Sequence, residues 1–449
     1  MKKLLNLRAR KFSQQIVLFP LLLILLASLS YYAPSQSEQV KVISTYPATV
    51  CPAVGNKVAS VASLSNSKIQ RRLINGISKT LNAGKKSLIV LNNDALLVEG
   101  NPGTALTFVN SGWKSVVPCS VSNGEQWFAG GSGALTSKSF LYIVNSGFSD
   151  SSVELQIYTP NGLIEPKSVV ISQNSTKKIS VDTLVPGEDK IVIGVKTLSG
   201  RVSSYLLDER KKGLKSLGAD FVAPVATANK KVTIAGISGL TGKQISNNNS
   251  ASHTLRLLIP GTIDANIDVT INSNDGNFIP EGLAQFNVKN QRVVDIPLTF
   301  APVNQPFSLI IDSDQPVLAS VLSEFAFGKS KEIAWATGAD DLSKWSVNLS
   351  GSKPVLSFSG NKINIQISAT TISGKKIDKK ITGTDFLVWN SPSGLNRLQI
   401  TANGKGITGG VIFFPEVGSI GSSYIPMNNG ANLETASEPI SDASVISRG

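Results

Sequence analysis

Residues 140–209 recur, with drift, as residues 255–324, and a stretch written twice must fold twice in the same way. The first copy opens on FLYIVN at 140–145, continues with VELQIY at 153–158 and turns at Pro160, Asn161 and Gly162. The second opens on LRLLI at 255–259, continues with IDVTI at 267–271 and turns at Asn274, Asp275 and Gly276. Farther on, IVIGV at 191–195 leads through Ser199, Gly200 and Arg201 to VSSYLL, and FSLII at 307–311 leads through Gln315 and Pro316 to VLASVL. Both copies then reach a glutamate, Glu209 and Glu324. Short alternating apolar runs between Asn/Asp/Gly/Pro turns are the pattern of antiparallel strands, whose side chains point to opposite faces with period two. Two copies of about one domain each predict an all-β fold of tandem immunoglobulin-like antiparallel β-sandwiches.

At 449 residues the chain has room for about three such domains. Charged residues are 16% and hydrophobic residues 41%, which excludes a disordered polyelectrolyte and a multi-span membrane protein. The formal charge of +13, with a sequence pI near 9.5, implies attraction to polyanions.

Which polyanion depends on compartment, and the N-terminus points to export. Lys2, Lys3, Arg8, Arg10 and Lys11 precede an apolar run from Ile16 to Leu29, and no charge follows until Glu38. Ser28 and Ser30 have the small-residue spacing of a signal-peptidase site, whereas residues 16–33 come close to the ~20 needed to span a bilayer. A cleaved signal and a retained single-pass anchor both stand; either puts the following domains outside the cytoplasm. Two cysteines, Cys51 and Cys119, in an exported chain predict one disulfide, the alternative being two free thiols.

The expected order is a basic stretch and transmembrane or signal helix at 1–34, a first sandwich at 35–225 and a second at 226–332. A shorter, divergent third occupies 333–427 and a disordered tail 428–449.

No residue set reads as catalytic, cofactor-binding or metal-ligating. The single histidine, His253, removes most acid–base and metal chemistry and stands at the start of an expected strand. Gly130-Gly-Ser-Gly-Ala134 lacks the last glycine of a nucleophile elbow. Ser65/Lys68 and Ser175/Lys178 match Ser-x-x-Lys without its companion motifs. The run from Gly236 to Lys243 misses the phosphate-loop spacing by one residue, and Gln244 stands where a magnesium-binding hydroxyl belongs. The pairs Asp312/Asp314 and Asp340/Asp341, and the stretch 272–276, read as turns rather than as a glycosidase pair or a calcium loop. Trp113, Trp127, Trp335, Trp345 and Trp389 read as core rather than sugar platforms. Basic clusters at Arg71/Arg72, Lys85/Lys86, 210–212, Lys230/Lys231 and Lys375/Lys376 with Lys379/Lys380 suit anionic wall polymer or lipid headgroups. The compartment and the lack of interleaved aromatics disfavour nucleic acid.

The export segment, the Cys51-Pro52 opening, Cys119 and the closing runs SGRV at 199–202 and DQPV at 314–317 together resemble an actinobacterial family of exported envelope proteins of unknown function. The resemblance implies immunoglobulin-like sandwiches behind one N-terminal membrane segment and supplies no catalytic residues. The expected function is a non-enzymatic envelope scaffold or spacer contacting anionic wall polymer, anionic lipid headgroups or membrane-bound assembly partners. The alternatives are a carbohydrate- or ligand-binding module and, last, an extracytoplasmic hydrolase.

Overall fold

In the computed structural model the described residues are 49–428 without 55–57, 63–68, 83–85, 91–93, 100–102, 111–112, 136, 241–244, 246–247 and 415–420. They all belong to one of two units of the chain, Thr45–Leu433; the other, Met1–Ser44 with Glu434–Gly449, lies outside them. The expected export segment and almost all of the expected tail are therefore outside the described residues, as is Ser65/Lys68.

The described residues form β-strands and one 3₁₀ turn, Val181–Thr183, so the fold is all-β as the alternating runs predict. The strands follow one eight-strand plan four times. Unit I holds β1 (Thr49–Cys51), β2 (Val58–Ala62), β3 (Ile69–Leu73), β4 (Lys79–Leu81), β5 (Lys86–Val90), β6 (Leu96–Glu99), β7 (Ala105–Asn110) and β8 (Trp113–Pro118). Its two sheets have the orders β1-β6-β3-β4 and β5-β2-β7-β8. Unit II holds β9 (Glu125–Phe128), β10 (Phe140–Asn145), β11 (Ser151–Thr159), β12 (Gly162–Ile171), β13 (Ser175–Ser180), β14 (Val192–Ser199), β15 (Val202–Lys212) and β16 (Lys215–Val222). Its orders, β9-β14-β11-β12 and β13-β10-β15-β16, are those of unit I strand for strand. The stretch expected as one first sandwich thus carries two such sets.

The second copy of the repeat lies in unit III, where two strands fuse. It holds β17 (Asn229–Ile237), β18 (Asn249–Leu258), β19 (Ala265–Ser273), β20 (Gly276–Phe278), β21 (Phe286–Val288), β22 (Val294–Pro297), β23 (Phe307–Phe327) and β24 (Ser330–Thr337). Where unit II turns at Gly200, with φ of +83°, unit III runs straight through Gln315 and Pro316, so the 21-residue β23 serves both sheets. β24 runs across position 332/333, the expected boundary. Unit IV holds β25 (Lys344–Ser352), β26 (Val355–Thr371), β27 (Lys376–Asn390), β28 (Leu395–Ala402), β29 (Thr408–Phe413) and β30 (Ser423–Pro426). Here the second and third strands fuse as β26, and the fourth and fifth as β27.

Each unit buries the inward residues of both its sheets. In unit III, Ile234, Leu255, Val269, Leu309 and Val321 are all fully buried in one cluster. The last strands of the units then meet. β8 packs on β16, β16 on β24, β24 on β30, and β30 back on β8, closing a ring. The ring is sealed between units I and IV at Gly103, whose carbonyl accepts from Asn348 N at 2.8 Å. Its φ is +84° and a Cβ there would stand 2.1 Å from Ser346 O, so only glycine fits.

Cys51 and Cys119 are joined in a disulfide and are buried, which ties β1 to the residue following β8. A disulfide points to an extracytoplasmic location. Among the described residues, no helix is long and apolar enough to cross a membrane.

Candidate functional site

Asp220 of β16 stands at the centre of the ring, in a stretch of the strand covered on both faces, and is fully buried. Each of the other three units donates to its carboxylate. Ser115 Oγ of β8 at 2.5 Å and Ser423 Oγ of β30 at 2.8 Å reach Oδ1, and Trp335 N of β24 at 2.9 Å reaches Oδ2. Burial pushes the Asp220 carboxyl up to about 7, against the pull of these donors.

A second carboxylate lies beside it. Asp208 of β15 accepts from Ser137 and Ser139 Oγ at 3.0 and 2.8 Å, Trp335 Nε1 at 3.0 Å and Arg210 Nε at 3.1 Å. Burial alone would raise it, but Arg210 and the three neutral donors hold it below the ordinary aspartate range. The Trp335 ring is fully buried near two cations, with the Arg256 guanidinium 5.2 Å and the Arg210 guanidinium 6.0 Å from its centre.

Arg256 of β18 spends all five of its N–H groups on the protein. Asp295 takes two, at 2.8 and 2.9 Å, and the carbonyls of Gly131, Ile191 and Asp189 take the others at 2.8, 3.2 and 3.2 Å. It is therefore a staple from unit III into the loops of unit II, closed to any ligand.

Glu332 of β24 is the third buried acid. Its Oε1 accepts from Ala219 N and Ile333 N, both at 3.1 Å, while Oε2 has no partner among the described residues. Burial pushes it up to about 8; the two backbone donors pull down and nearby Asp220 pushes further up. The folded chain thus holds this proton more tightly than the unfolded chain. That stabilisation is full below about pH 4.5 and is lost as pH rises through about 8. His253 acts in the opposite sense, because burial lowers it to about 4, but its contribution changes only below its ordinary value of 6.5. We therefore expect the melting temperature to fall between pH 6.5 and 9, and to fall less in Glu332→Gln, which keeps the Oε1 acceptor. Scanning calorimetry across that range checks this; parallel pH profiles for the two proteins would remove Glu332 from the account.

Beside these groups a cleft of about 470 Å³ opens between units II and III. Ser250, Ser252 and Thr254 share its floor with Arg256, since alternate residues of β18 face one way. Arg210 and Glu324 line it too, with Nη1 and Oε1 3.6 Å apart. Glu324, which ends the second repeat, stands 53% exposed, whereas Glu209, which ends the first, pairs with Lys211 at 2.9 Å.

The residues weighed from sequence do not gather into one site. His253 is buried, with Nδ1 2.9 Å from Ser323 Oγ and its ring edge-on to Phe307. Ser175 and Lys178 are three apart on β13 and so face opposite sides; the Lys178 ammonium sits 3.7 Å over the Phe140 ring. The glycines at 130–133 serve close packing: a Cβ on Gly130 would meet Val222 at 2.8 Å and one on Gly133 would meet Val185 O at 2.2 Å. Gly236 lies within β17, where a Cβ would strike Ser357 Oγ, and the rest of its motif is largely outside the described residues. Asp312 pairs with Lys231 at 3.5 Å and Asp314 accepts from Asn266 N at 3.0 Å, both on the surface of β23. All five tryptophans are buried. No group of three or more His, Cys, Asp or Glu that could hold a metal occurs among the described residues.

The sequence reading passed over Asp208, Asp220, Arg256 and Glu332. Their signal was present: a charge at an inward position of an otherwise apolar strand, as in GADFV at 218–222 and LRLLI at 255–259.

The model of a family described as a family of unknown function, DUF5719, matches residues 114–382. No curated protein matches the chain. Among solved structures the chain is similar to a tetra-tandem repeat in the extending region of a large adhesion protein, at 10% identity. That alignment covers 84% of this chain and 93% of the other with a TM-score of 0.10, which carries no argument about fold.

Proposed function

We propose that this chain, which belongs to the family of unknown function DUF5719, is a non-enzymatic scaffold of the cell envelope that contacts anionic wall polymer or membrane-bound assembly partners. The observation that carries the reading is the ring closed on Asp220. A chain of independent sandwiches would flex at each linker, as interfaces between domains of one chain commonly do. Here the last strand of every unit is tied to one buried carboxylate, so the units keep a fixed relation and present fixed outer faces.

The charge supports the choice of partner. Lys375, Lys376, Lys379 and Lys380 are exposed around the turn from β26 and along the start of β27, which among the described strands pairs only with β26. Lysines on such an edge also block strand pairing between copies, so edge protection alone accounts for some of them. The net charge of +13 makes polyanion attraction the larger effect.

Co-sedimentation of the full chain with purified anionic wall polymer tests the reading. Binding is expected at low salt, with release at high salt and a clear reduction when these four lysines are replaced by serine. Absence from the pellet at low salt would overturn the polymer contact.

A further inference from the structure

We propose that the cleft between units II and III is a binding site for a small saccharide carrying one carboxylate. This inference stands apart from the scaffold reading, since a ligand site and a rigid ring can exist without each other.

The first support is an excess of polar groups that the protein leaves unused. The hydroxyls of Ser250, Ser252 and Thr254 make no hydrogen bond with the described residues, and neither does the exposed ammonium of Lys331. Arg210 uses Nε on Asp208, but its Nη groups make no hydrogen bond there, with Glu324 standing off at 3.6 Å. Arg256 in the same cleft is saturated, so the unused valence is a property of Arg210 and not of the whole wall.

The second support is preorganisation. Asp208 holds Arg210 at Nε and the Trp335 ring lies 6.0 Å from its guanidinium, so the free side of the fork is fixed before any ligand arrives. A planar fork matches a carboxylate with two parallel bonds. The three hydroxyls repeat at every second residue, on the order of 7 Å apart, and can give and take bonds along more than one sugar ring. The carboxylate of Glu324 accepts from sugar hydroxyls beside them. A volume of about 470 Å³ lies within the range of small-molecule sites.

Charge selects the ligand class. Asp208 and Glu324 together outweigh the single charge of Arg210 and the Lys331 ammonium restores the balance, so a dianionic phosphate would meet more repulsion than a single carboxylate among hydroxyls does.

Isothermal titration of the full chain with a glucuronic acid-containing disaccharide, its methyl ester and a uronic acid polymer provides the test. The free disaccharide is expected to bind saturably, and about tenfold or more weakly once esterified, as loss of a charge-assisted bond implies. Ser252→Leu, which fills the floor at an exposed position, and Arg210→Lys, which keeps the charge but not the fork, should each weaken binding to a similar extent. Melting curves establish that both variants fold. Competition by the polymer shows whether the sugar is also taken as part of a chain. No saturable binding, equal binding of the ester, or binding indifferent to Ser252→Leu would each overturn the proposal.

Discussion

Replacing Asp220 by alanine is expected to lower stability by about 2–4 kcal/mol, from a buried donor left unsatisfied together with the cavity that opens. The backbone N–H of Trp335 would lose its acceptor in a buried place, and a cavity would open where three other units converge. The two serines are partly protected. Ser115 and Ser423 lie 3.3 Å apart and Ser423 Oγ can also donate to Val116 O at 3.1 Å, so they can bond without the carboxylate. Asp220→Asn keeps one acceptor oxygen and the shape, and should cost about 1–2 kcal/mol. Denaturant unfolding followed by tryptophan fluorescence reads both, because the Trp335 indole is buried beside the ring of strands and its backbone N–H bonds Asp220. A shift below about 1 kcal/mol for Asp220→Ala would mean that apolar packing alone closes the ring.

Removing the disulfide is expected to have a comparable effect by a different route. Cys51 and Cys119 are 68 residues apart in sequence, and a cross-link over such a loop restricts the unfolded chain by about 4 kcal/mol in the chain-entropy picture. The loss should fall on unit I. β1 has only three residues and pairs only with β6 among the named strands, and both cysteines sit in the core cluster with Leu96, Phe108 and Trp113. The Cys51→Ala, Cys119→Ala protein should therefore melt earlier than wild type and be cut first by protease within residues 49–118. Wild type in reductant should match it. Equal melting of reduced and oxidised protein would show that packing against Tyr142, Tyr205 and Phe221 of unit II already holds the segment.

Much of this fold was legible because the strand signal is local. Alternation such as VELQIY buries Val153, Leu155 and Ile157 on one face, and the same pattern at IDVTI buries Ile267, Val269 and Ile271. The turns at Gly162 and Gly276, with φ of +119° and +117°, stand at the places their sequences mark. Fusion of strands was less legible. Gln315 and Pro316 read as a turn, but Pro316 lies where β23 passes from its partners in one sheet to those in the other, between ladder positions Ser313 and Val317, where a missing N–H costs least. The unit at 49–118 was hidden because its strands are only three to six residues long, too short for alternation to stand out.

The candidate site was not legible. Asp208, Asp220, Arg256 and Glu332 look like ordinary surface charges until their strands are assembled, and Arg210 reads as one member of a basic run with Lys211 and Lys212. Sequence alone pointed to the all-β class, the repeat and a cysteine pair, since alternation, turn chemistry and residue counts act within a few residues or on composition; the structure showed the pair as a disulfide. Tertiary structure decided that the last strands of four units close a ring, that Asp220 stands at its centre, and that Arg210 turns into a cleft. Those outcomes rest on contacts between residues as far apart as Ser115 and Ser423, and on burial that changes what a carboxylate or guanidinium does without changing its name.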